Sequence, residues 1–285
     1  MTNIIKIAVV QTNPALMKNE ENLNGIICNT KEAASNGVNL IVFPECSLTG
    51  YIFNSRKEAL PYAETIPGPA IKRIAALCKE LNVFVILGLL EKDKNKLYNA
   101  AALISPEGLI GSYRKNHLPY LGIDRFVDRG NRPFEVYSTP VGNIGIEICY
   151  DIIFPENSRV MALQGADILV LPTNFPRGRG EKITDHVVTT RAIENRVYVV
   201  TANRIGSERG HGFSGLSKIA GATWETLALA SPDKEEIIYA EIDLDVARKK
   251  HDTIKPGQHE TDFIKDRRPE LYGIISEPVD EITLT

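Results

Sequence analysis

The chain has 285 residues, of which 43% are hydrophobic and 24% charged, with a formal net charge of −3 at pH 7. That length allows a sizeable core in one large domain or two small ones. The near-neutral balance, without a basic block or an acidic tail, argues against nucleic acid as the main partner. The amino-terminal MTNIIKIAVVQTNPA lacks the long apolar core and cleavage site of a signal peptide, and no apolar stretch is long enough to span a bilayer, so a cytoplasmic location is the default expectation.

In chain order, the β-branched run Ile4 to Gln11 reads as a strand. Asn19 to Asn36 carries Leu23, Ile26, Ile27, Thr30, Ala33 and Ala34 at helical spacing and stops at Gly37. Val38 to Phe43 is a second strand. PGPAIKRIAALCKELN is a helix with Pro69 in its first turn. Strands follow over Val83 to Leu90, Leu97 to Ile104 and Leu109 to Tyr113. After an irregular polar segment from Lys115 to Pro133 come strands at Phe134 to Tyr137 and Val141 to Ile148. FPENSRVMALQGAD is a helix opened by Pro155 and closed by Gly165. ADILVLPTN is a strand, EKITDHVVTTRAIENR a single helix, and VYVVTANRI a strand. Leu216 to Ala220, Leu227 to Ala230 and Ile237 to Ile242 complete the set. No linker divides the chain, so residues 1–285 read as one domain.

Several strands are continuous apolar runs flanked by helices, so helices cover their faces. Consecutive strands also join through tight turns, which excludes a purely parallel sheet. Two mixed sheets packed together with helices outside satisfy both observations.

The four cysteines are Cys28, Cys46, Cys78 and Cys149. No C-x-x-C pair suggests a structural zinc site, and no metal site is expected. Cys28 and Cys78 fall in the apolar patterns of helices and read as small core residues.

Three polar residues stand just beyond apolar strands, where open α/β folds place their ligands. Glu45 ends LIVFPE, Lys115 ends GLIGSYRK, and Cys149 ends NIGIEIC before a helix amino terminus. A thiol is a weak nucleophile until it loses its proton, and a strand-to-helix turn exposes sulfur where the helix end favours the anion. None of the five histidines sits where spacing recommends it as the base. A carboxylate in a dry cleft has its pKa raised and can both take and return a proton, which an amide leaving group needs. Lysine supplies a fixed positive charge for a developing oxyanion. Singly, each has a bland reading: a buried structural cysteine, a solvated carboxylate at a strand end, an ordinary polar strand end. Together they suggest one site.

At these residues the sequence resembles the nitrilase (carbon–nitrogen hydrolase) superfamily. The segments are FPECSLTGY around Glu45, YRKNHLP around Lys115 and GIEICYDIIFPE around Cys149, in the order of that family's Glu-Lys-Cys triad. LPTNFP and TRAIENRVYVVTANRIG resemble the segments that follow its nucleophile. The resemblance runs from KIAVVQ to about Ile242. It implies a four-layer αββα sandwich with pseudo-two-fold halves, and a homodimer or larger homo-oligomer. It also implies that the extension from about residue 246 serves oligomer contacts. It implies a two-step, cofactor-free hydrolysis of a small amide by water, in which Cys149 attacks, Glu45 carries protons, and Lys115 with the Tyr150 backbone N–H holds the oxyanion.

Two departures stand out. Tyr150-Asp151 replaces the Trp-Glu that follows the cysteine in members resembling true nitrilases, which is similar to the amidase-type branches. No glutamate lies between Lys115 and Glu135 where many members carry a second one. Asp124 is the nearest acid and Asp128 the next. Glu147 reads as a paired structural carboxylate. Tyr51, Tyr120, Asn174 and Phe175 are candidates for substrate binding, with Phe126 and Trp224 as further pocket candidates. Arg177, Arg179 and Arg191 are candidates for a substrate carboxylate. Nitrile, N-carbamoyl and omega-amide substrates stay open, as do an acyltransferase and a catalytically silent binding protein.

Overall fold

A computed structural model describes residues 3–278. It divides into two compact units, with the boundary after Arg248. The first unit is built on two six-stranded sheets.

In the first sheet, β1 (Ile4–Gln11), β2 (Leu40–Val42) and β3 (Phe84–Asp93) run parallel. β4 (Lys96–Ser105) and β5 (Gly108–Arg114) extend one edge antiparallel. In the second, β7 (Gly142–Ile146), β8 (Ile168–Pro172) and β9 (Tyr198–Ala202) form the parallel centre. β6 (Val136–Thr139) flanks β7, and β12 (Lys218–Ala220) and β13 (Thr226–Leu229) follow β9, all antiparallel. A two-residue ladder, β10 (Ser207–Glu208) with β11 (His211–Gly212), precedes them. β14 (Glu236–Asp243) returns to pair antiparallel with β1. Each sheet therefore repeats one plan: three parallel strands with antiparallel borders.

Strand alternation sorts the core into layers. On β1, Ile7 and Val9 join the apolar cluster shared with Ile146, Ile168 and Val200 of the second sheet. Ala8 and Val10 face the other way, onto Leu23 and Ile26 of α1 (Asn19–Ser35). A short helix, α2 (Arg56–Ala59), precedes α3 (Pro69–Leu81). α3 starts with Pro69, whose missing N–H costs nothing there, and ends at Asn82, whose φ of +53° breaks the helix. Its Ile71, Ile74 and Leu77 lie one face down and are buried, each contributing roughly 1.5–3 kcal/mol by apolar transfer. α4 (Pro155–Leu163) and α6 (Thr189–Asn195) send Met161 and Ala192 into the core of the second sheet. The result is an αββα sandwich of two mixed sheets with outer helices.

Some details differ from the sequence reading. Cys28 is exposed. The buried stripe of α1 runs through Leu23, Ile26, Thr30 and Ala33, and Cys28 falls off it, so it is not a core residue. The single helix expected over EKITDHVVTTRAIENR is broken into α5 (Gly180–Lys182), a π-turn at Ile183–Val188, and α6. The buried Lys218 ammonium donates to the Thr184 carbonyl and to Thr189 Oγ1, which holds the backbone in the wider turn.

The second unit holds an antiparallel pair, β15 (His251–Lys255) and β16 (His259–Asp262), followed by helical turns at Pro269–Leu271 and Gly273–Ser276. Among the described residues no helix is long and apolar enough to cross a membrane.

Candidate active site

Glu45 lies in the tight turn that leaves β2. Ser47 and Thr49 N–H groups close the turn on the Pro44 and Cys46 carbonyls, and Leu48 N–H donates to the Gly88 carbonyl of β3. The turn can press on β3 because residue 88 has no side chain. A Cβ there would stand 2.3 Å from the Pro44 carbonyl oxygen. Lys115 follows β5, and its N–H bonds the Asn99 carbonyl of β4 at 2.8 Å. Cys149 opens the 3₁₀ turn Cys149–Ile153 with a φ of +50°, a left-handed conformation costly for a residue with a Cβ.

These ends converge. Lys115 Nζ donates to Glu45 Oε1 at 2.7 Å and to Asp124 Oδ2 at 2.5 Å, and all three side chains are fully buried. Asn99 Nδ2 bridges the two carboxylates, at 2.6 Å from Glu45 Oε1 and 2.9 Å from Asp124 Oδ1. The Tyr51 hydroxyl donates to Asp124 Oδ2 at 2.7 Å. Glu45 Oε2 is buried without a hydrogen-bond partner. An ammonium has three N–H donors and two are committed here, so Lys115 keeps one for another acceptor.

The electrostatics follow from two buried carboxylates sharing one cation. Burial raises the Glu45 carboxyl above its usual range against the pull of Lys115, and Asp124 raises it further. Burial also opposes the Lys115 charge, but Asp124 and Glu45 outweigh it and hold the ammonium well above its ordinary value. Burial, then the neighbouring Glu45 charge, push the Cys149 thiol up to about 12, opposed by Lys115, the Thr173 side chain and the Asn174 N–H. A second net negative charge in this dry site is costly, so the resting sulfur keeps its proton at neutral pH.

A cavity of about 220 Å³ opens on Cys149, with Tyr51, Tyr120, Tyr150, Asn174 and Phe175 on its walls. Tyr120 is at its mouth and 90% exposed, whereas Tyr51 and Phe175 are buried. Arg179 reaches the cavity. Arg177 instead donates to the Phe213 carbonyl, and Arg191 is bound to the Ile152 and Ile153 carbonyls. Trp224 is exposed and Phe126 packs beside Tyr51; neither lines the cavity.

Asp128 stands apart from Lys115. Its carboxylate pairs with Arg56 at 2.9 Å and Lys96 at 2.6 Å. Burial works against its charge, but Lys96, the Leu97 N–H and Arg56 outweigh it and hold the group down at about 2. Glu147 lies under Ser158, whose hydroxyl is 3.1 Å from both carboxyl oxygens. Burial, then Asp151, raise it to about 8.

Spacing alone missed several of the site's supports. Asn99 was legible only as a lone amide in the apolar run LYNAAALI. Asp151 accepts from the Tyr113 hydroxyl at 2.8 Å, the Ile148 N–H at 3.0 Å and the His117 N–H at 2.9 Å. His117 Nδ1 lies 2.8 Å from the same carboxylate. Tyr113 and His117 flank Lys115 and Ile148 precedes Cys149, so one aspartate ties the two segments together. Glu208 accepts the Tyr51 and Ile52 N–H groups at 2.9 and 2.5 Å and pairs with the buried Arg204 at 2.8 Å.

Comparison with known proteins places the chain in a class of C–N bond hydrolases. The carbon–nitrogen hydrolase family model matches residues 6–252, and the chain belongs to that family, within the nitrilase superfamily. It is 38% identical over 270 residues to a nitrilase of Pyrococcus abyssi, covering 94% of this chain and 99% of that one. It is 36% identical over 265 residues to an N-carbamoylputrescine amidase of Solanum lycopersicum, covering 86% of each. The crystal structure of a carbon–nitrogen hydrolase from Helicobacter pylori superposes with a TM-score of 0.85 at 26% identity, covering 97% of this chain and 99% of that one.

Proposed function

We propose that the protein hydrolyses the C–N bond of a small carboxamide through a thioester on Cys149. The observation that carries the reading is the buried Glu45 carboxylate. One of its oxygens is held by Lys115 and Asn99, and the other is unpartnered in a site shared with the cysteine. Glu45 takes the thiol proton as sulfur bonds to the carbonyl carbon. Doing both at once avoids a free thiolate, which burial makes costly. The carbonyl oxygen becomes an oxyanion beside the remaining Lys115 N–H and the Tyr150 backbone N–H. Glu45 returns its proton to nitrogen, the C–N bond breaks, and ammonia leaves. Water, deprotonated by Glu45, then opens the thioester to the carboxylate and restores the thiol.

Asp124 fits the role of second acid: it holds the ammonium together with Glu45 and offsets its desolvation. The cavity's size and its mostly apolar walls favour a small acyl group. The test is a panel of neutral amides, acidic amides, ureido acids and nitriles read by ammonia release, with Cys149→Ala as control. Release from amides by the wild type alone is the expected result. Release by Cys149→Ala at the wild-type rate would overturn the mechanism.

A further inference from the structure

The wall of the cavity carries one buried polar atom that the hydrolytic cycle above does not use. Asn174 follows β8 and is 1% exposed. Its Nδ2 donates to the backbone carbonyl of Glu45 at 3.1 Å. A carbonyl can only accept, so this bond fixes which end of the side-chain amide is nitrogen. Its backbone N–H serves the Cys149 sulfur. One residue thus touches both the proton carrier's turn and the nucleophile, and its remaining end, Oδ1, is buried with no hydrogen-bond partner.

Glu45 Oε2 is also buried without a partner, and the Thr173 hydroxyl, the third such oxygen here, can turn its proton to the Cys149 sulfur. Buried acceptors without donors are costly, and proteins keep few of them. Two unpartnered acceptors in the site of one nucleophile call for a ligand that brings donors. The NH2 of a carboxamide or ureido group brings two N–H bonds. A nitrile nitrogen brings none, and would set its lone pair against theirs.

We infer that Asn174 is a specificity-determining residue, whose Oδ1 accepts an N–H of the substrate and selects carboxamide and ureido groups against nitriles. This rests on the thioester reading of the same site. It adds to it an atom that recognises the leaving nitrogen before any bond to sulfur forms. Truncation to alanine removes the acceptor that the amide uses and that the nitrile must avoid. The amide therefore loses binding in both ground and transition states, while the nitrile loses little.

The experiment is a comparison of kcat/KM for propionamide and propionitrile, which share an acyl group, in the wild type and in Asn174→Ala. Dividing the amide-to-nitrile ratio of one protein by that of the other cancels the intrinsic reactivity of the two substrates. The ratio is expected to fall by about 10- to 100-fold in the variant. Equal losses on both substrates, or no loss on either, would reduce Asn174 to a structural tie and overturn the inference. So would a wild type that hydrolyses the nitrile as fast as the amide. If Asn174→Ala does not fold, Cys149→Ala decides by binding: propionamide must bind at least about 10-fold more tightly than propionitrile. Equal affinity overturns the inference there too. A wild type that releases ammonia from neither compound, nor from the wider panel, instead removes the hydrolytic reading and this inference with it.

Discussion

Lys115 Nζ stands 2.5 Å from Asp124 Oδ2, and both side chains are sealed from solvent. The pairing depends on the 3₁₀ turn Gly122–Arg125, which brings a short carboxylate back over the end of β5. Gly122 has a φ of +51°, and a Cβ there would meet the Tyr51 ring at 2.5 Å. The loop can therefore come close enough for an aspartate to reach the lysine. Asp124→Asn keeps the shape and removes the charge, and kcat/KM should fall by about 100-fold or more. Asp128→Asn, which loses only part-exposed ion pairs, should keep nearly full activity. Steady-state kinetics on the two purified variants checks this, and the reverse pattern would move the assignment to Asp128.

How far this was legible in the sequence depends on range. Glu45, Lys115 and Cys149 each end an apolar strand, so local pattern placed them at one edge of the fold. Asp124 and Asp128 were indistinguishable, because only the path of the loop decides which reaches Lys115 and which meets Arg56 and Lys96. Asn99 and Asp151 stayed hidden for a related reason. The partners of Asn99 lie 25 and 54 residues away, and those that join Asp151 to the Lys115 segment lie 34 and 38 away, beyond any helical or strand period. Cys28 was misplaced because it was counted with the apolar residues of α1, although two residues from both Ile26 and Thr30 it lies opposite their stripe. The π-turn depends on Lys218, which no pattern within the helix reveals.

Glu45 and Lys115 share a hydrogen bond and should act as one unit. Glu45→Gln removes proton transfer, and Lys115→Met removes the cation while preserving bulk. Each should lower kcat by about 1,000-fold or more, and the double variant should be scarcely worse than the poorer single one. A double-mutant cycle on kcat measures the coupling, and simple additivity would speak for separate roles.

Glu147 should make stability fall with rising pH. Its folded pKa of about 8 lies above the usual glutamate value of 4.5. The unfolded chain therefore releases this proton first as pH rises. The group's stabilisation is complete below the unfolded value and is lost as pH climbs toward 8, at up to about 1.4 kcal/mol per unit. Glu147→Gln keeps a partner for Ser158 and cannot ionise. Its Tm relative to wild type should rise between pH 5 and pH 8, and a difference independent of pH would count against a buried protonated carboxyl.

A two-fold homo-oligomer is expected. Met161 and Ala162 of α4 are buried in the core. The outer face of α4 presents Val160 and Leu163, at 36% and 44% exposure. Leu271, Ile274 and Ile275 of the second unit are exposed as well. Isologous pairing is the commonest way to cover such surface. Light scattering should give at least a dimer mass at micromolar concentration, and a monomer mass would oppose it.

The central claim is that the Cys149 sulfur forms a bond to the acyl carbon, and peptide mass spectrometry tests it most directly. Wild type, Glu45→Gln and Cys149→Ala would each be incubated with propionamide, quenched in acid during turnover and digested. The account predicts a propionyl thioester on the wild-type peptide containing Cys149. It should be scarce in Glu45→Gln, where the thiol proton has no acceptor, and absent in Cys149→Ala. An adduct on Cys28 or Cys46 with Cys149 unmodified during turnover, or turnover by Cys149→Ala at the wild-type rate, would contradict it.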